Sequence, residues 1–141
     1  MADPAPPAYA PPAASAAGAE SLTAPIVIYA LYLVALFTGG LSMVLGVILA
    51  YALRGEAGAS ARSHYLFLIR TFWGGLVLIL TGGLLIFVGL PLVFVLIGIP
   101  IVALGGLIAG CAHLWQLVRC AFGLWHAANG RPYPEPLTPL V

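Results

Sequence analysis

Between Arg70 and Arg119 the chain runs for forty-eight residues without an Asp, Glu, Lys or Arg. As continuous helix, at about 1.5 Å per residue, that run would be about 72 Å long. The hydrocarbon core of a bilayer is about 30 Å thick, so the run has the length of two crossings and a short reversal. Both of its ends should then lie on one side of a membrane. Composition points the same way. Charged residues make up 6% of the chain and hydrophobic ones 62%, against about 25% charge in a soluble domain. The expected fold class is all-α and integral to the membrane, with three transmembrane helices and disordered Pro-rich tails.

The helices are expected at about 25–53, 65–97 and 100–128, within one domain over 25–129. Residues 1–24 form an Ala/Pro-rich tail, with prolines at 4, 6, 7, 11 and 12. Such a segment cannot bury a core and should be disordered or polyproline-like. It lacks the positive charge of a signal-peptide n-region. Pro25 suits a first helical turn, where a missing N–H costs nothing. Tyr29 and Tyr32 would mark one membrane interface and Tyr51 the other. Residues 54–64 read as a polar link, and Ser63 as an N-cap for the second helix. Two breakers compete for the reversal, Gly89-Leu90-Pro91 and Gly98-Ile99-Pro100. The second gives helices of similar length, with Pro91 as a kink, and is preferred. Asn129-Gly130 should end the third helix. Residues 130–141 form a Pro-rich C-terminal tail.

All five basic residues are Arg, at 54, 62, 70, 119 and 131. They are too sparse for a nucleic-acid surface, which needs a basic stripe. Three fall between 54 and 70 and two at the end of the third helix and beyond, while the N-tail and the reversal hold none. The positive-inside rule then expects the N-terminus outside and the link and C-terminus cytoplasmic. Arg70 and Arg119 close the two ends of one uncharged run, so they should share a depth. With Arg54 and Arg62 they are candidates for a shallow site gripping anionic lipid headgroups.

The stretches SHYLFLIRTFW and LVRCAFGLWHAANGRPYPEP carry a resemblance. The residues concerned are Ser63, His64 and Tyr65, Ile69 to Trp73, Arg119, Cys120, Gly123, Leu124 and Gly130 to Pro136. In these the chain resembles a family of small uncharacterised bacterial inner-membrane proteins, a domain of unknown function. That family is grouped remotely with the twenty-kilodalton inner-envelope import component of chloroplasts. The chain departs from the pattern at Leu66 and Leu68, where the family places longer polar or charged residues. The resemblance implies a multi-pass protein of the bacterial inner (plasma) membrane. Through the chloroplast grouping it implies a translocation-like role.

His113, Gln116, Arg119, Cys120, Gly123 and His126 recur at three to four residues and form one stripe on the third helix. A haem or metal ligand at His113 would need a second helical His at its depth; none is present, and only His64, near the interface, could approach. Hydrogen bonding to neighbouring helices is the preferred reading, with no cofactor. Cys111 and Cys120 lie about 13 Å apart along a helix, beyond disulfide reach. Gly106-x-x-x-Gly110 and Ser42-x-x-x-Gly46-x-x-x-Ala50 are candidates for close helix packing, internal rather than between copies. No nucleophile–base pair, carboxylate pair or phosphate loop occurs, so an enzyme is not expected. The expected function is a non-catalytic subunit, scaffold or assembly partner of a membrane complex. Its partners would be the lipid bilayer, a second copy or another membrane protein. The alternative is a small channel, transporter or protein-translocation component acting as an oligomer.

Overall fold

The computed structural model describes residues 21–135, and these are all-α: α1 Thr23–Val34, α2 Leu41–Leu53, α3 Ala59–Leu92 and α4 Gly98–Ala128, with one 3-10 turn at Val93–Val95. The expected tails at 1–20 and 136–141 lie outside the described residues.

The uncharged run folds as a long antiparallel hairpin of α3 and α4. Its register is set by small residues: Gly82 lies against Gly105 and Ala109, Gly89 against Val102, and Gly74 against Trp115. The buried seam follows a seven-residue rhythm. Ala61, Leu68, Gly75, Gly82 and Gly89 are buried on α3, and Gly98, Gly105, Ala112 and Arg119 on α4. A strict seven-residue repeat keeps one seam facing the partner helix. α3 has 34 residues and is about 51 Å long at helical rise. Both helices are long and apolar enough to cross a membrane, and only 11% and 17% of their most apolar windows are buried within the chain. The core helix of a soluble protein would be mostly buried.

The reversal lies between the two breakers. Pro91 falls in the last turn of α3 and Pro100 in the first turn of α4, where an N–H is not needed. The turn places Leu96 at φ 64°, a left-handed conformation that costs a non-glycine residue about 1–2 kcal/mol. Gly98 then packs directly on the backbone of Gly89, Leu92 and Val93, with no room for a Cβ.

The first apolar segment departs most from expectation. It is not one helix over 25–53 but two, broken at Gly39 and Gly40, which have φ of 61° and 92°. Left-handed backbone ends a right-handed helix, and glycine adopts it without a Cβ penalty. Thr38 closes the break: its hydroxyl donates to the Val34 carbonyl and lies 2.9 Å from the Ser42 hydroxyl. The Ser42 hydroxyl in turn donates to the Leu31 carbonyl. Gly46 lets α2 lie against Tyr32 and Ile28 of α1. The two helices therefore form a short hairpin. With 12 and 13 residues, each is about 18–20 Å long, short of the roughly 30 Å of a hydrocarbon core. Among the described residues, two helices of spanning length are present rather than three.

The short hairpin packs on the half of the long hairpin nearest Ala59 and Ala128, the base; Val93–Val95 marks the tip. α1 climbs alongside α3, pairing Tyr29 with His64 and Tyr32 with Leu68. α2 returns toward the base, and residues 54–58 lead into α3. α3 starts earlier than the expected residue 65. Gly58, with extended ψ of 175°, precedes its first turn, so Ser63 lies inside the helix and is no N-cap. Leu22, expected in the tail, is buried, and Thr23 and Ala24 already belong to α1.

Candidate functional site

The buried polar side chains gather at the base, where α1, α3, α4 and the segment after α4 meet. His64 is fully enclosed and bridges two distant parts of the chain. Its Nε2 lies 2.9 Å from the Arg131 carbonyl oxygen and its Nδ1 3.2 Å from the Tyr29 hydroxyl. A carbonyl only accepts, so Nε2 carries the hydrogen, and in the neutral ring Nδ1 accepts from the phenol. Tyr32 donates to the Leu68 carbonyl at 3.0 Å. Gly123 makes this possible: a Cβ there would collide with the Tyr29 ring, so a larger residue would drive α1 off α4. Tyr29 and Tyr32 are thus buried fasteners of α1 rather than the interface markers expected of them.

Arg119 is 1% exposed. Its Nε donates to the Thr71 hydroxyl at 3.0 Å, and that hydroxyl donates to the Phe67 carbonyl at 2.8 Å. The guanidinium lies 4.0 Å from the Phe67 ring centroid and 4.9 Å from Trp115. Aromatic faces stabilise a cation where water cannot. This corrects the expectation that Arg119 joins Arg70, Arg54 and Arg62 in one headgroup site. Those three are exposed, whereas Arg119 is enclosed by its own chain. Arg54 stacks over Tyr51 and Arg131 over Trp125.

The segment after α4 is docked, against the expectation of a free tail from residue 130. Gly130 turns the chain at φ 67°. Tyr133 is buried, its N–H donates to the Ser63 hydroxyl at 2.9 Å, and its ring sits 3.8 Å from Phe67. Burial raises the Tyr133 phenol above its ordinary value; Arg119 opposes the shift and Glu135 adds to it. The phenol therefore stays neutral.

Other sequence candidates are placed differently. Gly106 and Gly110 face outward, and a Cβ added at either would meet nothing within 4 Å, so they do not hold α3 to α4. Their neighbour Gly105 does. The signal that would have found it is the spacing of seven from Gly75 through Gly82 to Gly89, and again from Gly98 to Gly105. Ser42, Gly46 and Ala50 are buried in the α1–α2 contact. His113 is exposed and its Nδ1 lies 2.8 Å from the Ala109 carbonyl; His126 bonds the Phe122 carbonyl in the same way. Among the described residues, no three His, Cys, Asp or Glu side chains cluster as a metal site would require. Cys111 is exposed and Cys120 buried, and both are free thiols.

The base is therefore a clasp. It joins SHYLFLIRTFW to the region from Arg119 to Tyr133, and its polar groups point at one another rather than at an open substrate site. No family model, curated protein or solved structure matches the chain.

Proposed function

We propose that the protein is a non-catalytic subunit or assembly scaffold of a membrane complex, seated in the bacterial inner membrane. The observation that carries this reading is the division of the long hairpin. Its base is closed by the clasp, while its upper half offers bare apolar surface to its surroundings. Phe94 is 95% exposed and Phe87 77%. The small residues Gly106 and Gly110 lie on the same open face of α4. Lipid tails satisfy such a face, and small residues admit the close approach of another membrane helix. The two stretches that carry the resemblance meet in the clasp.

The channel or translocation alternative asks for a polar track from base to tip. Arg119, His64 and Thr71 are spent on contacts within the base instead, which favours the scaffold. Extraction of the full chain in mild detergent, followed by cross-linking mass spectrometry, tests the reading. The expected result is a reproducible set of membrane-protein cross-links to the α4 face around Gly106–Gly110. Monomeric protein without such cross-links, together with ion or peptide flux in proteoliposomes, would overturn it in favour of the alternative.

The short hairpin supports a different topology from the expected one. α1 and α2 return the chain to the base, so Ser21, the 54–58 link and Glu135 lie at one end. All five Arg lie at or near that end. By the positive-inside rule we place it in the cytoplasm, replacing the expected outside N-terminus. Reporter fusions at Ser21 and after Glu135 should both read cytoplasmic. An N-terminal fusion reading periplasmic would restore a three-span topology.

A further inference from the structure

A cleft of about 450 Å³ lies between the turn of the short hairpin and the middle of the long one. Its walls come from residues 35–44, from Phe72, Gly75 and Ile79 of α3, and from His113 and Gln116 of α4. It is separate from the clasp. Gln116 is three residues from Arg119, about 4.5 Å of helix rise toward the tip, so the cleft falls within the uncharged run.

Two polar groups face it. Gln116 is 9% exposed, and its carboxamide has no hydrogen-bond partner among the described residues. Its Oε1 lies 3.5 Å from where a Cβ on Gly75 would sit, an ordinary van der Waals distance, so it faces the small residue across the seam. One helical turn away, the His113 Nδ1 lies 2.8 Å from the Ala109 carbonyl. That carbonyl can only accept, so Nδ1 holds the hydrogen, and the neutral ring keeps Nε2 as an acceptor. The cleft thus offers a donor and two acceptors at one wall and apolar side chains elsewhere. Apolar clefts with a few convergent polar groups are the usual form of small-molecule sites.

We infer that this cleft binds the head of an uncharged lipid that carries a hydroxyl beside a second oxygen. The hydroxyl donates to His113 Nε2 or to the Gln116 carbonyl, and the second oxygen accepts from the Gln116 amide. The lipid chain leaves over the turn, where Phe37 and Leu41 are exposed at 90% and 74%. A phospholipid head is excluded by charge. No Arg or Lys lines the cleft, and the guanidinium of Arg119 is held by Thr71, Phe67 and Trp115. A phosphate there would be desolvated without a cation. Two classes of lipid share the required chemistry, prenylated quinols that carry a methoxy group beside the hydroxyl, and diacylglycerols.

The inference rests on membrane placement but not on the scaffold reading, and the test separates them. Full-length protein is placed in nanodiscs of phosphatidylcholine and titrated with dioctanoylglycerol and with a decyl-tailed dimethoxybenzoquinol. Saturable binding of either probe is expected, and the one that binds names the class. Gln116→Leu, similar in size, should weaken it tenfold or more, and Ile79→Trp, which fills the cleft, should abolish it. Thermal melts of both variants establish that they fold. Binding of neither probe, binding unchanged in folded Gln116→Leu, or equal competition by phosphatidylglycerol would overturn the inference. Partner cross-links at Gly106–Gly110 are scored on the unmodified protein. Their absence with probe binding intact counts against the scaffold and not against the cleft.

Discussion

Leucine at Gly105 is expected to part α3 from α4 and to cost about 3 kcal/mol or more, the upper range for overpacking a tight contact. A Cβ there would lie 2.6 Å from the Gly82 carbonyl oxygen and 3.0 Å from the Ile86 nitrogen. Both are backbone atoms of a helix and cannot rotate away. The backbones must separate, and the seam through Gly82, Gly89 and Gly98 loosens with them. Leucine at Gly110 meets nothing within 4 Å and should leave the fold unchanged. Thermal unfolding in detergent, followed by maleimide labelling of buried Cys120 in a Cys111→Ser background, compares the two. Equal destabilisation by Gly105→Leu and Gly110→Leu would show that the register of the hairpin is wrong. If Gly110→Leu unfolds normally yet loses membrane-protein cross-links, the open face of α4 is the partner surface.

Leucine at His64 is expected to undo the clasp from both sides. The Tyr29 hydroxyl loses its partner while still buried, at a cost of about 1–3 kcal/mol. The Arg131 carbonyl loses the Nε2 donor that ties the C-terminal segment to α3. Tyr133 depends on the same anchorage, because its N–H bond to Ser63 and its stack on Phe67 require residues 131–133 to lie across α3. Hydrogen exchange should therefore speed up markedly at the Tyr133 amide and in α1, and remain slow around Gly82 and Gly105. Local opening of a small unit against an intact hairpin is the expected pattern. An amide at Tyr133 that exchanges equally fast in the unmodified protein would mean that the segment is not held. Slow exchange in the variant would mean that Ser63 and Phe67 hold it without His64.

The sequence alone determined the long hairpin. Forty-eight residues without a formal charge, lacking the apolar/polar alternation of barrel strands, satisfy their backbone within helices. Pro91 and Pro100 confined the reversal to a few residues, and Asn129-Gly130 marked the end of α4. The break at Gly39-Gly40 was also written in the chain, but an apolar stretch of spanning length reads as a single helix. Length and hydropathy cannot distinguish one helix crossing a bilayer from two short ones folded back together, since both are apolar throughout. Only the tertiary structure decided that, through left-handed glycines and the seat Gly46 provides for Tyr32. It also decided which small residues pack. Gly105 and Gly106 are neighbours in sequence, yet one faces a helix and the other faces outward, and both environments are apolar. The clasp was least legible of all. Arg119 meets Thr71 across 48 positions and His64 meets Arg131 across 67. An arginine at the end of an apolar helix reads as a surface group until a distant hydroxyl and two rings are brought around it. Hydropathy reports how far a side chain is from water, whereas its partner is set by the chain's return path.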